Sequence, residues 1–148
     1  MVHNFESLSD AELLFAYKNV LLYYETSVKD ASGFSVGNKD FQSFIKDKSI
    51  SITVGTTTDI ENESKKEDAP ISSFFFTDTK GNQLKSLYYH LRNSFAHSSF
   101  TKMKIEKTDY LCFEDINLNN KKQFTMRGQI QLEFFEEFVE KLKQVIKQ

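Results

Sequence analysis

The 148 residues contain no tryptophan, one proline, one cysteine and five glycines. Each scarcity removes a class of answer. With so little Pro and Gly there is not enough turn chemistry for a many-turned β-sandwich, which leaves α or α+β architectures. The lone Cys112 rules out an intrachain disulfide and a cysteine-rich zinc module, and it suits a reducing compartment such as the cytoplasm. No uninterrupted apolar run approaches the roughly 20 residues needed to span a bilayer, and the first residues, MVHNFESLSD, lack the basic and apolar segments of a secretory signal. A soluble, cytoplasmic protein with no membrane partner is expected. Basic charge is not in excess either: 19 Lys and Arg stand against 21 Asp and Glu. Any contact with nucleic acid must therefore come from a local patch and not from a global field.

Aromatic side chains are abundant, with fifteen Phe and six Tyr. They predict an aromatic-packed, mostly helical interior in a single domain spanning residues 1–148. Ser9 and Glu12 have the spacing of a capping box, and Leu8 and Leu13 that of a hydrophobic staple. A long amphipathic helix is expected from there to about Gly33, burying Leu14, Tyr17, Leu21, Tyr24 and Val28, with Val20, Leu22 and Tyr23 widening the apolar face. Phe41, Phe44 and Ile45 predict a short second helix over 38–48 after the Gly37-Asn38 break. The stretch at about 49–70 is rich in Ser, Thr and charge and reads as an exposed polar loop, with a brief strand at Ile50 to Val54. Ile71 to Phe76 returns to the core, with the three consecutive Phe unable to share one face, and Thr77 or Asp78 is placed to cap the next helix.

That helix carries the pattern with chemistry in it, QLKSLYYHLRNSFAHSSF over 83–100. At about 100° per residue, Leu84, Leu87, Tyr88, Leu91 and Phe95 form a buried stripe, and Ser86, His90, Asn93 and His97 share the opposite, polar sector. Arg92 lies about 140° from His97, with Asn93 between them. Downstream, Tyr110 to Asp115 and Lys122 to Met126 flank Asn117-Leu118-Asn119-Asn120 as a small β-hairpin. Gln131 to Ile146 is a closing helix with Glu early and Lys late, matching the helix dipole.

The run Arg92-Asn93-Ser94-Phe95-Ala96-His97 resembles the R-x(4 to 6)-H signature of HEPN domains, often with a polar residue directly after the Arg. The surrounding helices resemble the compact, stand-alone defence and toxin members of that superfamily. The resemblance implies a mainly α, up-and-down helical bundle with the small hairpin between motif helix and C-terminal helix. It also implies a homodimer that cleaves RNA without a metal or other cofactor, with an antitoxin protein as a candidate partner. Arg92, Asn93 and His97 are then the catalytic candidates. His97 suits acid/base work because an imidazole titrates near neutrality, and the Arg92 fork matches phosphate oxygens. Tyr89 and His90 on the helix, and Lys102 and Lys104 after it, are candidates for contacting RNA bases and phosphates. A non-catalytic dimerisation or nucleotide- and partner-binding module is the alternative. The bland reading is that Arg92 pairs with an acid and His97 serves the helix dipole. Members silenced by a nucleotidyltransferase often carry a Tyr two residues beyond the motif His, where this chain has Ser99, so that mode of silencing is not implied.

Overall fold

The computed structural model describes residues 5–6, 8–117 and 123–147. It corrects the expectation of a mainly α bundle: the chain is a mixed α/β protein built on a six-stranded sheet of order β1-β5-β6-β7-β4-β3. The strands are β1 (Phe5–Glu6), β3 (Ile50–Val54), β4 (Ser72–Phe76), β5 (Phe100–Ile105), β6 (Thr108–Asn117) and β7 (Gln123–Gln131), with β2 (Gly33–Phe34) and β8 (Ile146–Lys147) pairing separately. All pairs in the large sheet are antiparallel except β3 with β4. The anticipated hairpin is real as the β6–β7 pair, but it is the centre of the sheet and not an appendage; its proposed turn at Asn117 to Asn120 extends outside the described residues.

The parallel β3–β4 pair needs a crossover, and residues 49–70 supply it. The brief strand expected at Ile50 to Val54 is β3, but the stretch after it is not an exposed loop throughout: it holds a helix, α3 (Thr57–Ser64). Its signal is a second capping box: Thr56 Oγ1 accepts from the Asp59 amide at 3.2 Å, and Asp59 Oδ2 accepts from the Thr56 amide at 3.0 Å. The Thr56 amide, joined by the Thr56 hydroxyl donating to the same oxygen at 2.9 Å, favours the ionised Asp59 and lowers its pKa. Only Ile60 is buried on α3, so an apolar periodicity had little to show. The segment after α3 is fastened to β7 by Arg127, whose Nη2 reaches Asp68 at 2.5 Å and whose Nη1 donates to the Glu63 carbonyl at 2.7 Å.

The first helix begins with α1 (Asp10–Ala16), capped by Ser9 and Glu12 as predicted, and continues as π-helical turns over Tyr17–Leu22 and Tyr24–Val28. The buried positions are Ala16, Val20, Tyr24 and Val28; Tyr24 and Val28 belong to the expected stripe, but Leu14 and Tyr17 of that stripe are exposed, as are Leu13 and Leu22. The wider π turns explain the shift, since i→i+5 bonding lets a four-residue step stay on one face. α2 (Lys39–Asp47) is capped by Asn38 and buries Phe41 and Phe44 as predicted. The motif helix, α4 (Gln83–Ala96), is capped by Asn82, which accepts from the Leu84 and Lys85 amides. Neither Thr77 nor Asp78 takes that part.

α4 and α5 (Leu132–Gln144) lie on one face of the sheet. Their junction is aromatic: Phe95 of α4, Phe113 of β6 and Phe135 of α5 meet with ring centroids 5.5–5.9 Å apart. The predicted α4 stripe is buried at every position. On β4, Phe74 and Phe76 face this core and Phe75 faces the other way, as alternation requires. Among the described residues no helix is long and apolar enough to cross a membrane.

The opposite sheet face carries Cys112. Burial beside the Asp68 carboxylate pushes its thiol pKa up to about 12. At pH 8 its thiolate fraction should therefore be about 10³-fold below that of an ordinary cysteine. Reaction with a chromogenic disulfide reagent is expected to be slow in the folded protein and to become fast in denaturant; equal rates in both would contradict the burial.

Candidate functional site

α4 ends where its chemistry begins. His97 is the C-cap residue, with its amide bonded to the Asn93 carbonyl at 2.9 Å. Ser98 follows in the left-handed region at φ 54°. The Ser99 amide returns to the Ser94 carbonyl at 2.7 Å and the Ser98 amide to Phe95 at 3.3 Å, which is a Schellman closure with serine in the position glycine usually takes. This fixes the backbone of His97 while leaving its ring exposed.

The polar sector of α4 is not outward as a whole. Ser86, His90 and Asn93 are buried, and only His97 is open. The correction has a plain cause: the segment before α4 and the end of β6 cover that sector and provide its hydrogen-bond partners. Asp78 accepts from the Ser86 hydroxyl at 2.7 Å. His90 Nε2 donates to the Thr77 carbonyl at 2.8 Å, and His90 Nδ1 lies 2.8 Å from Asp115 Oδ2. The same Asp115 oxygen accepts from Asn93 Nδ2 at 3.0 Å. Asn93 Oδ1 in turn accepts from Arg92 Nη1 at 2.9 Å. The chain of contacts thus runs from Thr77 through His90, Asp115 and Asn93 to Arg92, and it dictates which way the Asn93 amide points.

Asp115 is the functional candidate that sequence reading missed. Its signal was available: on a strand it shares a face with Leu111 and Phe113, both buried, so an acid there needs a partner.

Arg92 and His97 do not converge on one spot. A pocket of about 410 Å³ is lined by His97, Asn93, His90 and Asp115, with Lys80 and Tyr89 among its other walls. Arg92 lies on the other side of Asn93. Its Nη2 meets Glu25 Oε1 at 2.9 Å, and its guanidinium carbon is 6.0 Å from the Tyr24 ring centroid. Burial, with the neighbouring Tyr89 adding to it, raises the Tyr24 pKa against the opposing pull of Arg92. Tyr89 is half-buried, with Lys80 Nζ 4.2 Å from its ring centroid. The two lysine candidates fall elsewhere. Lys102 is 3.9 Å from Glu12, and Lys104 is 2.9 Å from Asp109; neither lines the pocket. His90 lines the pocket, but its side chain is only 1 % exposed and both ring nitrogens face protein acceptors. Among the described residues no group of His, Cys, Asp or Glu is arranged to hold a metal ion.

In comparison with known families, the model of a family described as HEPN pEK499 p136 matches residues 16–148. No curated protein and no solved structure matches the chain.

Proposed function

Because the chain belongs to the HEPN pEK499 p136 family, we propose that it is a metal-independent endoribonuclease, working as a homodimer and serving as a toxin or defence effector with an antitoxin protein as its natural partner. The observation that carries this reading is the place of Asn93. It stands between the pocket that holds the open His97 ring and the Arg92 guanidinium, and its own amide is fixed by Asp115. A proton-transfer group, a phosphate ligand and a stacking ring, Tyr89, are thereby arrayed along one flank of α4.

The chemistry follows from those groups. A base takes the proton of a ribose 2′-hydroxyl, its oxygen attacks the adjacent phosphorus, and the 5′-oxygen leaves with a proton from an acid, giving a 2′,3′-cyclic phosphate and a 5′-hydroxyl. One chain offers one exposed motif imidazole; a second copy supplies the other half of the acid/base pair. Arg92 stabilises the charge that builds on the phosphoryl oxygens, and Asn93 orients Arg92. The alternative, a module that binds nucleotide or a partner without cleaving, is favoured by one feature, the Glu25 carboxylate that already neutralises Arg92.

The test is RNA cleavage in EDTA. His97→Ala is expected to reduce the rate by on the order of 10²–10⁴, the usual contribution of general acid/base catalysis, and Arg92→Ala to reduce it comparably, with both variants still folded and dimeric. Undiminished cleavage in both would sink the proposal. A wild type that binds RNA without cutting it would favour the alternative.

A further inference from the structure

The side chain of Arg92 is held in an incomplete arrangement. A guanidinium presents Nε and Nη2 along one edge, which a carboxylate or phosphate fills with two parallel hydrogen bonds. Here Glu25 supplies one bond only, from Oε1 to Nη2 at 2.9 Å, while its Oε2 lies 3.7 Å from Lys29 Nζ. Arg92 Nε is the one buried side-chain nitrogen or oxygen among the described residues without a hydrogen-bond partner. An unsatisfied buried donor is costly, and it lies on the edge where a two-oxygen acceptor belongs. The Glu25 and Arg92 side chains remain 42 % and 31 % exposed, so the pair is open to exchange and weak enough to break.

We infer that Glu25 is an internal stand-in for an RNA phosphate: it occupies the Arg92 edge in the free protein and is displaced when a phosphodiester takes both Nε and Nη2, with Lys29 beside it as a second cation. This rests on the reading of Arg92 as the phosphate ligand. Glu25 then sets a threshold on the site. Substrate has to outcompete a tethered carboxylate, so weak or misplaced phosphates leave Arg92 neutralised. A neutral glutamine keeps an oxygen for Arg92 Nη2 but cannot compete as an anion, which makes Glu25→Gln the informative change.

The experiment is a binding titration with a 2′-O-methyl oligoribonucleotide, which lacks the nucleophile and stays intact, at fixed salt. It uses full-length wild type, Glu25→Gln, Asp30→Asn, Arg92→Gln and the Glu25→Gln/Arg92→Gln pair. Asp30 is exposed on the same side of the chain sequence and makes the same charge change without an Arg92 contact. Glu25→Gln is expected to bind about two- to fivefold tighter than wild type, the scale of an exposed ion pair, with little change for Asp30→Asn and no gain once Arg92 is gone. Equal gains for Glu25→Gln and Asp30→Asn would reduce the effect to bulk charge and overturn the inference. Loss of binding in Arg92→Gln with no gain in Glu25→Gln would overturn it while leaving Arg92 as the phosphate ligand. Unchanged binding in Arg92→Gln would overturn both.

Discussion

Asp115→Ala is expected to lower the free energy of unfolding by about 3–5 kcal/mol, the cost of removing one partner from a buried polar pair. The size follows from what is stranded. His90 and Asp115 are 1 % and 6 % exposed at their side chains, and the Asp115 carboxylate also takes the Asn93 amide. Alanine leaves His90 Nδ1 and Asn93 Nδ2 facing a cavity with no acceptor. Asp115→Asn keeps a neutral oxygen where Oδ2 takes both donors and loses only the charge that strengthens those bonds, so it should cost roughly half as much. Urea denaturation of the two variants checks this. Midpoints indistinguishable from wild type would mean the network adds nothing to stability. The same pair separates structure from function: Asp115→Asn should remain folded under assay conditions, so any loss of RNA binding there reports the weakened hold on the Asn93 amide and on the Arg92 it orients.

Gly128→Ala is expected to destabilise the protein by about 1–3 kcal/mol, the range for overpacking a filled interior. Gly128 sits in β7 opposite Phe74 on one side and Phe113 on the other. The Phe74 ring lies directly over it, so that a Cβ would overlap the ring. Phe74 has little room to yield: it stacks on Phe138 at 5.1 Å with planes 7° apart and on Phe113 at 6.1 Å. The glycine is therefore there for close approach and not for backbone freedom. Leucine at position 74 removes part of the ring, so Phe74→Leu should be less harmful beside Gly128→Ala than alone. Additive losses in that cycle would show that the overlap is relieved elsewhere.

The legible parts of this fold were those with local rules. The cap at Ser9, the second helix with Phe41 and Phe44 on its buried side, the stripe of α4 and the closing helix α5 followed from side-chain spacing alone. The sheet was legible in pieces, at β3 and at the β6–β7 hairpin, and hidden as a whole. In β5, Lys102 and Lys104 alternate with Thr101, Met103 and Ile105, and the charges drew attention while the period of two did not. α3 buries a single isoleucine and announces itself only through Thr56 and Asp59. The first helix misled because its π turns change which residues align. The same limitation governs the site. Arg92, Asn93 and His97 were visible as a spacing, and Asn93 and His97 do share a pocket. That Asn93 would be buried, that His90 would be closed off, and that Asp115 would partner both while Glu25 partners Arg92 all depend on contacts between residues far apart in sequence.

The most direct test of the functional account is the chemistry of the ends left when wild-type protein acts on RNA in EDTA. Attack by the ribose hydroxyl predicts a 2′,3′-cyclic phosphate on one fragment and a 5′-hydroxyl on the other, with DNA of the same sequence and the 2′-O-methyl RNA left whole. Fragments carrying 5′-phosphates, cleavage of the 2′-blocked strand, or no cleavage at all would contradict it.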